Sequence, residues 1–158
     1  MVFIDTSAIV ALFDKADKHH LKAKKILEII RNNRIRLLMS DYILDESITT
    51  ALSRAGHETA VKVGEFILSS KIVHLVWLNE SMKMKAWEHF KKHSDKDYSF
   101  TDCTSFILMK EIKIKDFFAF DEDFTAAGFI DFSDRYKQIQ IGGDFNPAYL
   151  FLLPTRCE

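Results

Sequence analysis

Carboxylates stand at four places in this chain where apolar segments give way to turns or helices. Asp5 follows the apolar triplet Val2-Phe3-Ile4, and Asp121 follows Phe117-Phe118-Ala119-Phe120. Asp102 falls in the first turn of a helical pattern that Ser99 or Thr101 can cap, and Asp45 or Glu46 lies in the first half of another helix. Each acid alone has an ordinary explanation, as a helix cap or as negative charge early in a helix. Four acids gathered at one rim of a sheet do not, because like charges repel and raise one another's pKa. A bound divalent cation relieves that repulsion, and an all-oxygen ligand set favours hard ions such as Mg²⁺ or Mn²⁺. An ion held this way activates water and stabilises a leaving oxygen, which is phosphodiester chemistry.

The elements that must position these acids follow from the apolar pattern. Val2–Ile4, 37–39, 72–77 and 116–120 read as short strands, three of them strongly apolar. Between them, Ala8–Phe13 opens a helix, and Ala23, Ile26, Leu27 and Ile30 recur at helical spacing. Leu44, Ile48, Leu52 and Ala55 mark an inward stripe on a third helix, which Ser40 or Asp41 can cap and Gly56 can end. Val61, Gly64, Ile67 and Leu68 mark the inner face of a helix over 57–70, and Met82, Ala86 and Phe90 that of the next. Gln138-Ile139-Gln140-Ile141 alternates as a half-exposed edge strand would. Strands separated by helices predict an α/β fold, with a parallel sheet covered by helices on both faces. Asp5 and Asp121 then lie at the carboxyl ends of strands, where open α/β sheets bind ligands.

Length and composition narrow the class. A chain of 158 residues with 47% apolar and 28% charged residues forms one soluble domain with a proper core. The net charge of −1 excludes a polycation that coats nucleic acid, but leaves room for a local basic patch. Lys83, Lys85, Lys91, Lys92 and His93 on one helix are the best local candidate for contact with a phosphate backbone. The paired His19-His20 reads as a solvated turn, since adjacent residues do not face each other on a helix. Cys103 and Cys157 form no metal-ligand spacing, and Cys103 reads as a buried thiol. No apolar run approaches the roughly 20 residues of a membrane span and no signal-peptide pattern precedes the first strand, so a cytoplasmic location is expected.

Four segments together resemble the signatures of PIN-domain ribonucleases. They are Val2-Phe3-Ile4-Asp5-Thr6-Ser7, Asp41-Tyr42-Ile43-Leu44-Asp45-Glu46, Ser99-Phe100-Thr101-Asp102-Cys103 and Ala119-Phe120-Asp121-Glu122-Asp123-Phe124, the last followed by Ala127-Gly128-Phe129. Their order and spread match over residues 1–141, and the compact domain is most similar to the VapC-type toxins of toxin–antitoxin pairs. The resemblance implies a three-layer α/β/α fold on about five mainly parallel strands, and RNA cleavage dependent on Mg²⁺ or Mn²⁺. It selects Glu46 over Asp45, so that Asp5, Glu46, Asp102 and Asp121 form the acidic quartet. By the same resemblance Asp5 and Asp102 are the most direct metal ligands, while Glu46 and Asp121 hold metal-bound waters or a second ion. Thr6 or Ser7 orients Asp5, Thr101 assists at the phosphate, and Asp123 is an auxiliary acid. In-line attack of water with departure of the ribose 3′-oxygen leaves a 5′-phosphate and a 3′-hydroxyl. The expected partners are single-stranded or structured RNA, an antitoxin protein and a second copy of the chain, with no membrane.

Other classes fit less well. A non-catalytic PIN-like module that binds RNA or protein is the main alternative, and absence of metal binding would favour it. A phosphatase with an aspartyl nucleophile usually carries a second Asp two residues after the first, where this chain has Ser7. A nucleotide triphosphatase needs a Gly-x-x-x-x-Gly-Lys loop, and the chain has none. The segment 142–158, with its apolar centre at 149–153, is expected to pack on the domain or on a partner.

Overall fold

The computed structural model describes residues 1–141. Five strands form one sheet: β1 (Val2–Ile4), β2 (Leu37–Ser40), β3 (Val73–Val76), β4 (Asp116–Phe118) and β5 (Ile130–Asp131). Their spatial order is β3-β2-β1-β4-β5, and every neighbouring pair is parallel. Seven helices fill the connections, α1 (Thr6–Phe13), α2 (His20–Asn32), α3 (Asp41–Ala55), α4 (His57–Ser69), α5 (Glu80–Lys92), α6 (Phe100–Ile112) and α7 (Asp123–Ala126), and α8 (Phe132–Ile141) follows β5. The expected three-layer α/β/α arrangement holds. The order places a topological switch between β1 and β4, because the chain winds outward one way through β2 and β3 and the other way through β4 and β5. Val2, Phe3, Ile4, Leu37, Leu38 and Met39 are fully buried, as strands covered on both faces must be.

One aromatic cluster sets the end of the sheet. Phe3 and Phe117 are register partners on β1 and β4, so their rings share a face. Both pack on Phe124, with ring centroids 5.6 and 5.0 Å away. Phe106 of α6 meets the same ring edge-on at 5.2 Å. Phe124 belongs to the single turn α7, which has too few backbone bonds to hold itself. Its buried ring anchors that turn beneath the sheet and thereby fixes Asp121 and Asp123 at the rim. Arg135 of α8 clamps Asp116 at the opposite end of β4 through two contacts of 3.0 Å.

Three local expectations are corrected. Gln138–Ile141 is the last turn of α8, not an edge strand; a four-residue alternation is too short to distinguish the two periods, and the edge is taken by β5. On α3 the fully buried stripe is Ile43, Ser47 and Ala51, whereas Leu44 and Ile48 are half-buried and Leu52 is 49% exposed. Ile48 instead meets α4, where a Cβ built on Gly64 would stand 3.4 Å from its Cδ1. On α4 the core face is Ala60, Val63, Gly64 and Ile67, and both Val61 and Leu68 point outward. The segment 142–158, expected to pack on the domain or a partner, lies outside the described residues.

Phe124→Ala should cost about 3–5 kcal/mol of unfolding free energy in urea, as large aromatic truncations in a tight core do. Phe90→Ala, at a ring already 39% exposed, should cost less.

Candidate active site

Asp5 ends β1 and caps α1 in the same step. Its backbone N–H donates to the Phe118 carbonyl at 3.1 Å, which extends the β1–β4 ladder by one bond. Its Oδ2 accepts from the Ser7 backbone N–H at 2.8 Å and from Ser7 Oγ at 2.7 Å. The capping role and the site role are therefore one geometry, not alternatives. Ser7 Oγ also lies 3.0 Å from Asp121 Oδ2 and accepts the Phe120 backbone N–H at 3.0 Å. One hydroxyl thus joins the carboxyl ends of β1 and β4 across the switch point. A serine hydroxyl has a single proton, so it donates to one of the two carboxylates at a time.

The remaining acids approach from two helices. Glu46 lies on the second turn of α3 and accepts from Thr6 Oγ1, which in turn lies 3.5 Å from the buried Ser47 hydroxyl. Thr6 therefore orients Glu46, and Ser7 alone of the expected pair orients Asp5. Asp45 is exposed on the neighbouring helix position. Asp102 is the third residue of α6 and forms a capping box with Ser99: the Ser99 hydroxyl caps the Asp102 N–H at 3.0 Å, and Asp102 Oδ2 accepts from Ser99 N and Oγ at 2.8 and 2.7 Å. The sequence alone marks Ser99 only as a cap. The Ser-x-x-Asp spacing was the signal that it also positions the acid. Thr101 is half-buried, and its carbonyl accepts the hydroxyls of Thr104 and Ser105. Asp123 opens α7 beside Asp121.

The electrostatics follow from burial and from crowding. Asp5 is 4% exposed, and its carboxyl is pushed up to about 8, first by burial and next by the charge of Asp121. Glu46 is raised by burial, opposed by the Thr6 hydrogen bond and reinforced by Asp102 and Asp121. Asp102 is raised by burial against the Ser99 hydrogen bonds, and Asp123 by burial and then Asp121. Asp121 Oδ1 is buried without a hydrogen-bond partner. Among the described residues no three His, Cys, Asp or Glu side chains are already drawn in as a ligand cage for one ion. The donor set nevertheless fits a hard cation: it is all oxygen, it carries an orphaned buried acceptor, and burial moves Asp5, Glu46 and Asp102 in the protonated direction.

The two histidines after α1 are not a solvated turn. His19 stacks on Phe120 at 4.4 Å with the rings parallel, and His20 Nδ1 lies 2.7 Å from the Ala11 carbonyl. Lys22 Nζ lies 5.4 Å from the centroid of the same Phe120 ring, next to Asp121. Cys103 is buried as expected, and burial pushes its thiol up to about 11.

Comparison with known proteins agrees with this geometry. Residues 2–130 match the PIN domain. Over 131 residues the chain is 34% identical to the 23S rRNA-specific endonuclease VapC20 of Mycobacterium tuberculosis, covering 83% of this chain and 97% of that protein. A VapC ribonuclease of Archaeoglobus fulgidus is 27% identical over 144 residues, covering 90% of this chain and 83% of its own. The crystal structure of M. tuberculosis VapC20, a Sarcin-Ricin loop cleaving toxin, superposes with a TM-score of 0.77 at 33% identity, covering 83% of this chain and 98% of the other. With its parallel sheet ordered around the β1–β4 switch and its match running from the first strand through the last, this chain belongs to the PIN-domain family as a VapC-like member.

Proposed function

We propose that this chain is a metal-dependent endoribonuclease that hydrolyses RNA phosphodiester bonds, and that it serves as the toxin of a toxin–antitoxin pair. The observation that carries the reading is the buried Asp5–Ser7–Asp121 bridge at the β1–β4 switch, with one Asp121 oxygen left unsatisfied. Two carboxylates so placed are costly without a cation and useful with one. Asp5 and Asp102 would be the direct ligands for Mg²⁺ or Mn²⁺, and Glu46 and Asp121 would hold metal-bound waters or a second ion. When bound, the ion supplies a Lewis acid and an activated water for attack on phosphorus.

The chain's own residues do the positioning. Ser7 locks the Asp5 carboxylate, Thr6 locks Glu46, and Ser99 locks Asp102, so each acid is held by a hydroxyl from its own or an adjacent element. Asp123 adds negative charge beside Asp121, and Thr101 sits one residue before Asp102, where a phosphate would approach. The VapC20 relative is named for 23S rRNA and for the Sarcin-Ricin loop. A looped ribosomal RNA segment is accordingly the first substrate to offer, since A-form duplex hides its base edges. An antitoxin protein and a second copy of the chain are the proposed protein partners.

Purified protein should cut such an RNA with Mn²⁺ or Mg²⁺ and not with EDTA, leaving 5′-phosphate ends. Asp5→Asn should abolish the cutting, whereas Asp45→Asn, at the exposed neighbour of Glu46, should keep it. Absence of both cutting and calorimetric metal binding would replace this reading with a non-catalytic binding module. Ser7→Ala should weaken metal affinity or cleavage about 10–100-fold, as loss of a ligand-orienting hydrogen bond does.

The raised Asp5 carboxyl also makes a pH prediction. The unfolded chain loses this proton near pH 4, while the folded, ion-free protein keeps it to about pH 8. Folding therefore binds the extra proton in that window, and stability in EDTA should fall as pH rises from about 4 to about 8. Thermal unfolding of Asp5→Asn should lack that part of the slope. Ion binding must displace the proton, so calorimetric Mg²⁺ affinity should rise from about pH 6 to about pH 8.

A further inference from the structure

We propose that an aromatic shelf formed by Tyr42, Trp87, Phe90 and Phe100 receives unpaired bases of a single-stranded RNA and leads that strand to the acidic site; the inference rests on the ribonuclease reading above. Trp87 and Phe90 are 43% and 39% exposed, although both are large enough to be core residues. They are not scattered. Trp87 lies 5.7 Å from Phe90 with the rings 17° from parallel, and both meet Phe100 edge-on at 6.5 and 6.2 Å. Phe100 meets Tyr42 edge-on at 5.7 Å. Rings from α3, α5 and α6 thus form one unbroken chain of contacts, with Trp87 and Phe90 exposed and Tyr42 and Phe100 half-buried.

Two further observations point to a nucleic acid strand and not to an apolar partner. Lys83 Nζ lies 5.7 Å from the centroid of Tyr42, and Lys91 Nζ lies 5.8 Å from that of Trp87. Lys91 also pairs with Glu88 at 2.8 Å, on the exposed surface where such a pair is easily exchanged. Alternating rings and ammonium groups match alternating bases and phosphates, the pattern by which single strands are bound without sequence preference. The shelf also shares two helices with the site. Tyr42 precedes Glu46 by one turn on α3, and Phe100 begins α6, the helix whose first turn carries Asp102.

The test uses the whole chain in EDTA, so that binding is read without cleavage. The probe is a fluorescently labelled single-stranded oligoribonucleotide of mixed sequence, with its duplex for comparison. Trp87→Ala should weaken single-strand binding about 10-fold, Trp87→Phe much less, and Leu68→Ala, at an exposed apolar residue of α4, not at all. Because the chain has two tryptophans, Trp77→Phe leaves Trp87 as the sole emitter, and stacked bases should quench it. Unchanged affinity in Trp87→Ala with no quenching would overturn the shelf, while metal-dependent cutting would leave the ribonuclease reading standing. A Trp87→Ala protein that sediments as a smaller species but binds RNA normally would reassign the face to contact between copies. Failure of the unaltered protein both to bind and to cut RNA would remove both proposals together.

Discussion

The constraint on which the rest of the molecule depends is the placement of two carboxylates at the carboxyl ends of adjacent parallel strands. Asp5 and Asp121 can be neighbours only because β1 and β4 are neighbours, and these strands pair only because the winding reverses between β3 and β4. Folding must overcome the repulsion and the loss of water at Asp5 to reach this state. The Phe3–Phe117–Phe124 stack lies directly under the two strands that carry the acids, where it can offset that cost. A buried aromatic stack and a crowded pair of carboxylates are thus successive layers of one structure.

The hydroxyl-bearing residues show how the charge is managed. Ser7, Thr6 and Ser99 each donate to one acid, and each belongs to the helix start that the acid itself caps or faces. A helix start offers free N–H groups and a positive dipole end, which partly offset the buried negative charge. The same local chemistry that begins α1 and α6 therefore orients the acids of the site. That economy explains why capping and membership of the acidic cluster could not be separated by looking at Asp5 or Asp102 alone.

Much of this was legible in the sequence, for physical reasons that differ by element. The short strands were visible because uninterrupted apolar runs such as Val2-Phe3-Ile4 have no other stable place than a doubly covered sheet. Asp5 and Asp121 were visible because each follows such a run directly. Faces of helices were less legible. On α3 the half-buried Ile48 serves the contact with α4, while the fully buried face carries Ile43 beside the small Ser47 and Ala51. Size and hydrophobicity locate packing, but they do not say against which neighbour. Glu46 could not be chosen over Asp45 from periodicity, since the choice depends on Thr6 reaching across from α1. The shelf on α5 was invisible for a similar reason: its rings come from three separate helices.

The edges of the sheet carry a consequence of their own. β5 has two residues and β3 has four, and among the described residues each is bonded to a neighbour on one side only. Such short edges present few free backbone groups, so a further strand laid against either would gain little. Association in the plane of the sheet is thereby disfavoured. The helical faces, by contrast, present side chains and no such ladder of free backbone groups.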